Sequence, residues 1–375
     1  MRMSELDTPA LVVDLDVLAA NIEAMASIAR EAGVRLRPHT KTHKCPDIAR
    51  MQVDAGAAGI TVAKLGEAEV MADAGFDDLL VAYPIVGEAK LARLRALRER
   101  ARVRVSLDSV AVARGIGSVG SAADPVEVLI EVDTGHHRMG RPPGGVTAQL
   151  AAEVAAVPGL EVVGLLSHAG HAYRAEPGDL AAVAAREADD LAATAEACVR
   201  AGIEIREISV GSTPTAGAVS GAAGITESRP GTYVFNDVQQ MRLGVATEAD
   251  CAARVLATVV SRPWEDRFVI DAGSKSLSSD GGDGPPFPGR GVLAGRPDLE
   301  LDFLTEEHGV GHEIAGGWDQ DGGQDVGGGG LEVGDRLEVI PLHVCSAVNL
   351  FDTAAGVRAG VVERELVIAG RGKVR

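Results

Sequence analysis

Apolar positions recur with two different periods along the first 215 residues. Short runs rich in Val, Leu and Ile, such as Val103-Arg-Val-Ser-Leu107 and Val126-Glu-Val-Leu-Ile-Glu-Val132, predict strands. Ala-rich stretches with helical spacing of their apolar residues, such as Leu15 to Ala32 and Pro177 to Ala201, predict helices. Further strands are predicted at Ala10–Asp14, Val34–Pro38, Gly59–Ala63, Asp78–Ala82, Val162–Ser167 and Glu204–Val210, with helices at Gly66–Ala74 and Ala89–Arg100. So many βα units close naturally into a TIM-like (β/α)8 barrel.

The pattern changes after residue 240. Val255–Ser261, Phe268–Asp271, Arg336–Ile340 and Leu366–Ala369 read as strands separated by turns, with no helices of comparable length. The expected organisation is an α/β barrel over 1–240 and a mostly β domain over 241–375, with the first strand placed either in the barrel or against the β domain. Gly316 to Gly330 reads as a surface loop, and its Asp319, Asp321 and Asp325 fail the spacing of an EF-hand calcium loop.

Composition narrows the function. Hydrophobic residues make up 46% of the chain and aromatics only 3%, so the cores are aliphatic, as parallel α/β architecture favours. Lys and Arg number 36 against 54 Asp and Glu, and the net charge of -18 would repel nucleic acid. Acids in Met1–Asp7 replace the apolar core of a signal peptide, and no run of about 18 apolar residues exists, so no membrane partner and a cytoplasmic location are expected. Cys45, Cys198, Cys251 and Cys345 are scattered without a C-x-x-C pair, which argues against a disulfide framework.

Candidate chemistry sits at the predicted strand ends, where barrel active sites lie. Arg37-Pro-His-Thr-Lys-Thr-His-Lys44 crowds cations and two imidazoles just past a strand. A lysine partly desolvated among other cations has its pKa lowered and attacks carbonyls to form Schiff bases, although the same spacing suits a solvated basic loop. Arg138 in Glu131-Val-Asp-Thr-Gly-His-His-Arg-Met-Gly140 suits an anionic oxygen of a cofactor or a surface ion pair. In Ser167-His-Ala-Gly-His-Ala-Tyr173 an imidazole or phenol could stack on, or titrate against, a flat ring, or serve only the fold.

Val210-Gly-Ser-Thr-Pro-Thr-Ala216 and Arg229-Pro-Gly-Thr-Tyr233 have the composition of a phosphate cup and equally of ordinary turns. In Pro341-Leu-His-Val-Cys345 a His and a Cys at i, i+2 project from one face of an extended segment, where imidazole and thiolate suit zinc. A chance pair in a β domain has the same spacing. His308 and His312 flank glycines and fit a loop rather than a helix presenting ligands at i, i+4.

Taken in order, these segments resemble the fold-type III pyridoxal 5′-phosphate (PLP) enzymes related to alanine racemase, and most closely the D-serine dehydratase and D-threonine aldolase branch. The resemblance spans nearly the whole chain and is carried by Arg37–Lys44, Gly211-Ser-Thr-Pro-Thr215, Arg229-Pro-Gly-Thr-Tyr-Val-Phe235, Val269-Ile-Asp-Ala-Gly-Ser-Lys275, Glu306-Glu-His-Gly309 and His343-Val-Cys345. It implies that Lys41 is the Schiff-base lysine, that Arg138 neighbours the cofactor's phenolate oxygen, and that His168 lies against the pyridine ring. Ser212, Thr213, Gly231, Thr232 and Tyr233 would cradle the phosphate, and His343 and Cys345 would hold a divalent metal, zinc, beside the substrate.

The implied enzyme is a homodimeric lyase acting on a small D-β-hydroxy amino acid. His-x-Cys is similar to the dehydratases, whereas the aldolases carry His-x-Asp. Tyr173 stands where the aldolases have a base histidine, so it is the second catalytic candidate. Dehydration to a keto acid and ammonia is therefore expected, with aldol cleavage to glycine and an aldehyde as the alternative. No tyrosine occurs around Asp271–Asp280, where the racemases carry their second base. A non-catalytic PLP carrier lacks the C-terminal β domain that this chain has.

Overall fold

The computed structural model describes residues 1–281, 289–314 and 330–375, so Asp319, Asp321 and Asp325 lie outside the described residues. The chain forms two units. One comprises Ile22–Tyr233 with Gly372–Arg375, the other Met1–Asn21 with Val234–Arg371.

The first strand, β1 (Ala10–Asp14), belongs to the second unit. The first unit is a TIM-like barrel of eight parallel strands: β2 (Arg35–Leu36), β3 (Ile60–Val62), β4 (Asp78–Val81), β5 (Arg102–Leu107), β6 (Val126–Val132), β7 (Leu160–Ser167), β8 (Glu207–Val210) and β9 (Glu227–Ser228). A bridge between His39 and Thr61 joins the ends of the sheet, with Thr61 N–H donating to the Pro38 carbonyl at 2.8 Å. The eighth barrel position thus falls to β9 rather than to the apolar run Ala10–Asp14. A strand of two residues, Glu227 and Ser228, is too short to show an apolar period, and Glu227 turns its carboxylate into the barrel.

With few aromatic rings, the barrel is filled at the strands' N-terminal ends by a buried ionic network. Arg37, 1% exposed, donates from Nε to Glu227 Oε2 at 2.8 Å and from Nη1 to Asp78 Oδ1 at 2.9 Å. Arg104, fully buried, donates to Glu207 Oε2 at 2.7 Å and to Asp78 Oδ1 at 2.8 Å. Burial pushes the Glu227 and Asp78 carboxyls up, but the two guanidinium groups outweigh it and hold both below the usual range. Strands β2, β4, β5, β8 and β9 are thereby tied across the interior.

Removing one partner of such a network leaves the other charge uncompensated, which costs far more than replacing both. Glu227→Ala is therefore expected to destabilise the protein by about 3–5 kcal/mol, read as a lowered urea midpoint. Arg37→Met combined with Glu227→Leu should lose less than the single variant, and a double variant less stable than Glu227→Ala would contradict this account.

The second unit is built on β10 (Ala253–Trp264), β11 (Arg267–Ile270), β12 (Val292–Leu293), β13 (Leu299–Leu304), β14 (Gly309–Glu313), β15 (Arg336–Ile340), β16 (Thr353–Arg358) and β17 (Val361–Val367). Its sheet runs β13-β14-β11-β10-β1-β16-β17, and β15 pairs with both β10 and β12. β1 lies between β10, antiparallel with Ala10 opposite Leu256, and β16, parallel with Val12 opposite Ala355. Its Leu11, Val12 and Val13 are buried, which accounts for the continuous apolar run. Among the described residues no helix is long and apolar enough to cross a membrane.

Candidate active site

The segment that follows β2 makes a 3-10 turn, Thr40–Thr42, with His39 as its N-cap. Thr40 Oγ1 donates to the Thr61 carbonyl at 3.1 Å and Thr61 Oγ1 to the Arg37 carbonyl at 2.9 Å, fixing the turn to the barrel's C-terminal rim. Lys41 is half-buried on it. Both lysines of the motif act on the buried Glu67 carboxyl, Lys44 the more strongly. Lys44, at φ 51°, places its ammonium 3.9 Å from the buried Glu67 carboxylate. Lys41 acts in addition on the His39 and His168 imidazoles. Burial first, then Lys41, Arg229 and Arg138 among others, hold His39 well below the ordinary imidazole range.

His168, just past β7, is likewise held low by burial first and then by Lys41 and Arg138, so its ring is neutral. Its Nδ1 bonds the Gly211 carbonyl, which can only accept, so that nitrogen carries the proton. The ring meets His136 edge-on, centroids 5.6 Å apart. Arg138 is exposed on the loop after β6, and its charge reaches His39, His168 and Glu131. Burial pushes the Glu131 carboxyl up to about 7 against the pull of Arg138 and Arg229.

The loops after β8 and β9 close against the same turn. A Cβ on Gly231 would sit 2.9 Å from Thr42 Oγ1 and 3.0 Å from the His39 carbonyl, an approach only glycine allows. Tyr233 N–H donates to Thr213 Oγ1 at 3.2 Å, and Thr232 is buried beside it. The Ser212 and Thr215 hydroxyls are buried and, among the described residues, have no hydrogen-bond partner. Two unpartnered hydroxyls beside this cup mark a place for an anion's oxygens.

A buried chain ties the Tyr233 loop to the Lys41 turn. His43 Nε2 lies 3.2 Å from Gln52 Oε1, and Gln52 Nε2 donates to Tyr233 Oη at 2.8 Å. Lys41, Arg138, His168, Ser212, Thr213, Gly231, Thr232 and Tyr233 are thus all carried by loops at the C-terminal rim of one barrel. Tyr173 is half-buried on the 3-10 turn Gly170–Arg174, beyond His168. A cavity of about 720 Å³ bordered by Asp133, Thr134, Gly135, His171 and Arg186 lies between the loop after β6 and the helix Leu180–Arg200, and none of Lys41, Arg138, His168, Tyr173 or the phosphate-loop residues lines it.

His343 and Cys345 lie in the second unit, in a geometry that corrects the extended segment expected for them. Val344–Val348 is a short helix with His343 as its N-cap. Asp237, the N-cap of the helix Val238–Arg242 through Gln240 N–H at 3.1 Å, accepts Val344 N–H at 3.0 Å with its other oxygen and so supports the turn between the two residues. The side chains converge all the same. His343 Nδ1 is 2.8 Å from Asp280 Oδ2, while Cys345 hydrogen-bonds the imidazole. Burial alone would lower this imidazole, but Cys345 and Asp280 push it up to about 11. Among the described residues no group of three or more His, Cys, Asp or Glu side chains is arranged to hold a metal ion.

His308 and His312 take other roles. His312 lies in β14 with Nδ1 2.7 Å from Asp302 Oδ1, and His308 bonds Thr305. Sequence reading missed Arg229, Gln52, Glu67, Asp237 and Asp280. Arg229, 5% exposed, donates to Ser209 Oγ and the Ser167 carbonyl, each at 2.6 Å, and links the rim to the ionic network through the Ser209–Glu227 bond. Its place at a strand end before Pro-Gly was the one available signal.

The chain matches the family "Alanine racemase, N-terminal domain" over residues 13–238 and "Putative serine dehydratase domain" over residues 252–357. It is 37% identical to D-threo-3-hydroxyaspartate dehydratase of Delftia sp. over 91% of each chain, and 34% identical to D-threonine aldolase of Arthrobacter sp. over 99% of this chain and 94% of that one. Among solved structures, D-threonine aldolase from Filomicrobium marinum superposes with a TM-score of 0.87 at 33% identity, covering 99% of this chain and 98% of the other. The barrel with its mostly β partner is the alanine racemase fold, and the chain belongs to the fold-type III PLP-dependent lyases of the D-serine dehydratase and D-threonine aldolase branch.

Proposed function

We propose that this lyase deaminates a small D-β-hydroxy amino acid to a 2-keto acid and ammonia, as a D-serine dehydratase does, with PLP on Lys41 and zinc on His343 and Cys345. The observation that carries the reading is a half-buried Lys41 in electrostatic reach of His39 and His168, on the rim whose Ser212 and Thr215 hydroxyls are buried with no partner among the described residues. Those hydroxyls, Thr213 and the close-packed Gly231 loop suit a phosphate, and Arg138 suits the ring's phenolate. An imidazole and a thiol whose polar atoms already meet suit zinc, and two protein ligands leave coordination sites for substrate.

When bound, PLP supplies an electron sink at Cα and the metal a Lewis acid at the β-hydroxyl. Lys41 removes the Cα proton from the face of the substrate it meets. His168 stays neutral, because Gly211 holds its Nδ1 proton and burial opposes a second one, and presents a flat ring for stacking. Ser212 and Thr215 donate to phosphate oxygens. Tyr173, on the same rim, is the group available to move a proton at the substrate hydroxyl.

Cleavage to glycine and an aldehyde is the second reading, favoured by the identity to the two D-threonine aldolases. His343-Val-Cys345 speaks against it, since the aldolase pair has aspartate in place of the thiolate. D-serine, D-threonine and D-threo-3-hydroxyaspartate, assayed separately for keto acid plus ammonia and for glycine plus aldehyde, decide between them. The expected result is keto acid, lost on EDTA treatment and restored by zinc. Glycine as the main product would overturn the dehydratase assignment.

A further inference from the structure

We infer that Asp280 is a positioning residue for the metal pair: it holds the Nδ1 proton of His343 so that Nε2 is the nitrogen offered to the metal. The inference rests on the proposed metal role of His343 and Cys345. Asp280 comes from the turn that follows the short helix Ser274–Leu277, far from the pair in sequence. Its Oδ2 lies 2.8 Å from His343 Nδ1 and accepts from Ser346 Oγ at 2.7 Å. One carboxylate oxygen therefore grips residues on both sides of Cys345.

A carboxylate only accepts at neutral pH, so a bond to Nδ1 requires the proton on that atom. A neutral imidazole so held has its lone pair on Nε2. Without Asp280 the ring, 27% exposed at a helix N-cap, can rotate and exchange its proton between the two nitrogens. Asp237 contributes from the other side. By accepting Val344 N–H it fixes the backbone between the ligands, and Asp280 fixes the ring. Carboxylates that orient ligating imidazoles in this way contribute about 10–100-fold to metal affinity.

The test is titration of the EDTA-treated full-length protein with cobalt(II), read by its d–d bands and its thiolate-to-cobalt charge transfer, followed by competition with zinc(II). Asp280→Ala is expected to weaken metal binding by about 10–100-fold. Asp280→Ser, with an oxygen too short to reach the ring, should lose as much and stands in should the alanine variant fail to fold. Asp280→Asn, whose amide oxygen still accepts from Nδ1, should recover most of the affinity, as a residue serving only fold or net charge would not.

Asp280→Ser binding as tightly as the wild type, or Asp280→Asn binding as weakly as Asp280→Ala, would overturn the inference. A wild-type protein that takes up cobalt with no thiolate charge transfer would instead overturn the metal assignment itself.

Discussion

Lys41→Ala is expected to lower keto-acid formation by about 10⁴-fold, with the cofactor lost on dialysis. Loss of a positioned general base alone accounts for up to about that factor. Because Lys41 is also the proposed covalent anchor, affinity and turnover should fall together. The informative comparison is with Lys44. Its ammonium already faces Glu67 at 3.9 Å, so Lys44→Ala should leave cofactor attachment intact and cost turnover far less. Borohydride reduction of the holoenzyme followed by peptide mapping should place the pyridoxyl group on Lys41. A label on Lys44, or a Lys41→Ala protein that keeps a bound, reducible cofactor, would sink the assignment.

The second large effect is expected from the metal pair. Cys345→Ala or His343→Ala should strip the metal and lower dehydration by about 10²–10³-fold, the loss of about 3–4 kcal/mol of Lewis-acid stabilisation of the leaving hydroxyl. PLP binding should survive, because every residue assigned to the cofactor lies in the barrel unit. Metal analysis, keto-acid rate and the absorbance of bound cofactor on one preparation separate the possibilities. Full activity in a metal-free Cys345→Ala protein would show that the hydroxyl departs without metal assistance.

Part of the barrel rim was legible because several candidate segments lie at the ends of strands that the apolar pattern marks. Arg37–Lys44, Glu131–Gly140 and Ser167–Tyr173 follow β2, β6 and β7, and the βα alternation alone points to that rim. What stayed hidden has two physical causes. β9 is two residues long and polar, so no hydrophobic period marks it. Asp280, Asp237 and Gln52 act through partners distant in the chain, such as His343 and Tyr233, and nothing local distinguishes them from ordinary surface or helix residues. His343 and Cys345 do come together, though not in the way their spacing implies. The i, i+2 spacing suggested a strand, whereas the side chains meet at a turn that a buried aspartate supports.

The membership of β1 in the second sheet has a consequence for how the molecule is made. Leu11, Val12 and Val13 leave the ribosome long before residues 253–264 and 353–358, the strands that flank them in the finished sheet. Throughout synthesis of the barrel this apolar ribbon has no mate, and an unpaired strand edge invites self-association. Dividing the gene where the two family segments meet would make that exposure permanent. A barrel fragment bred for engineering should therefore begin after Asp14, or carry the two later strands with it.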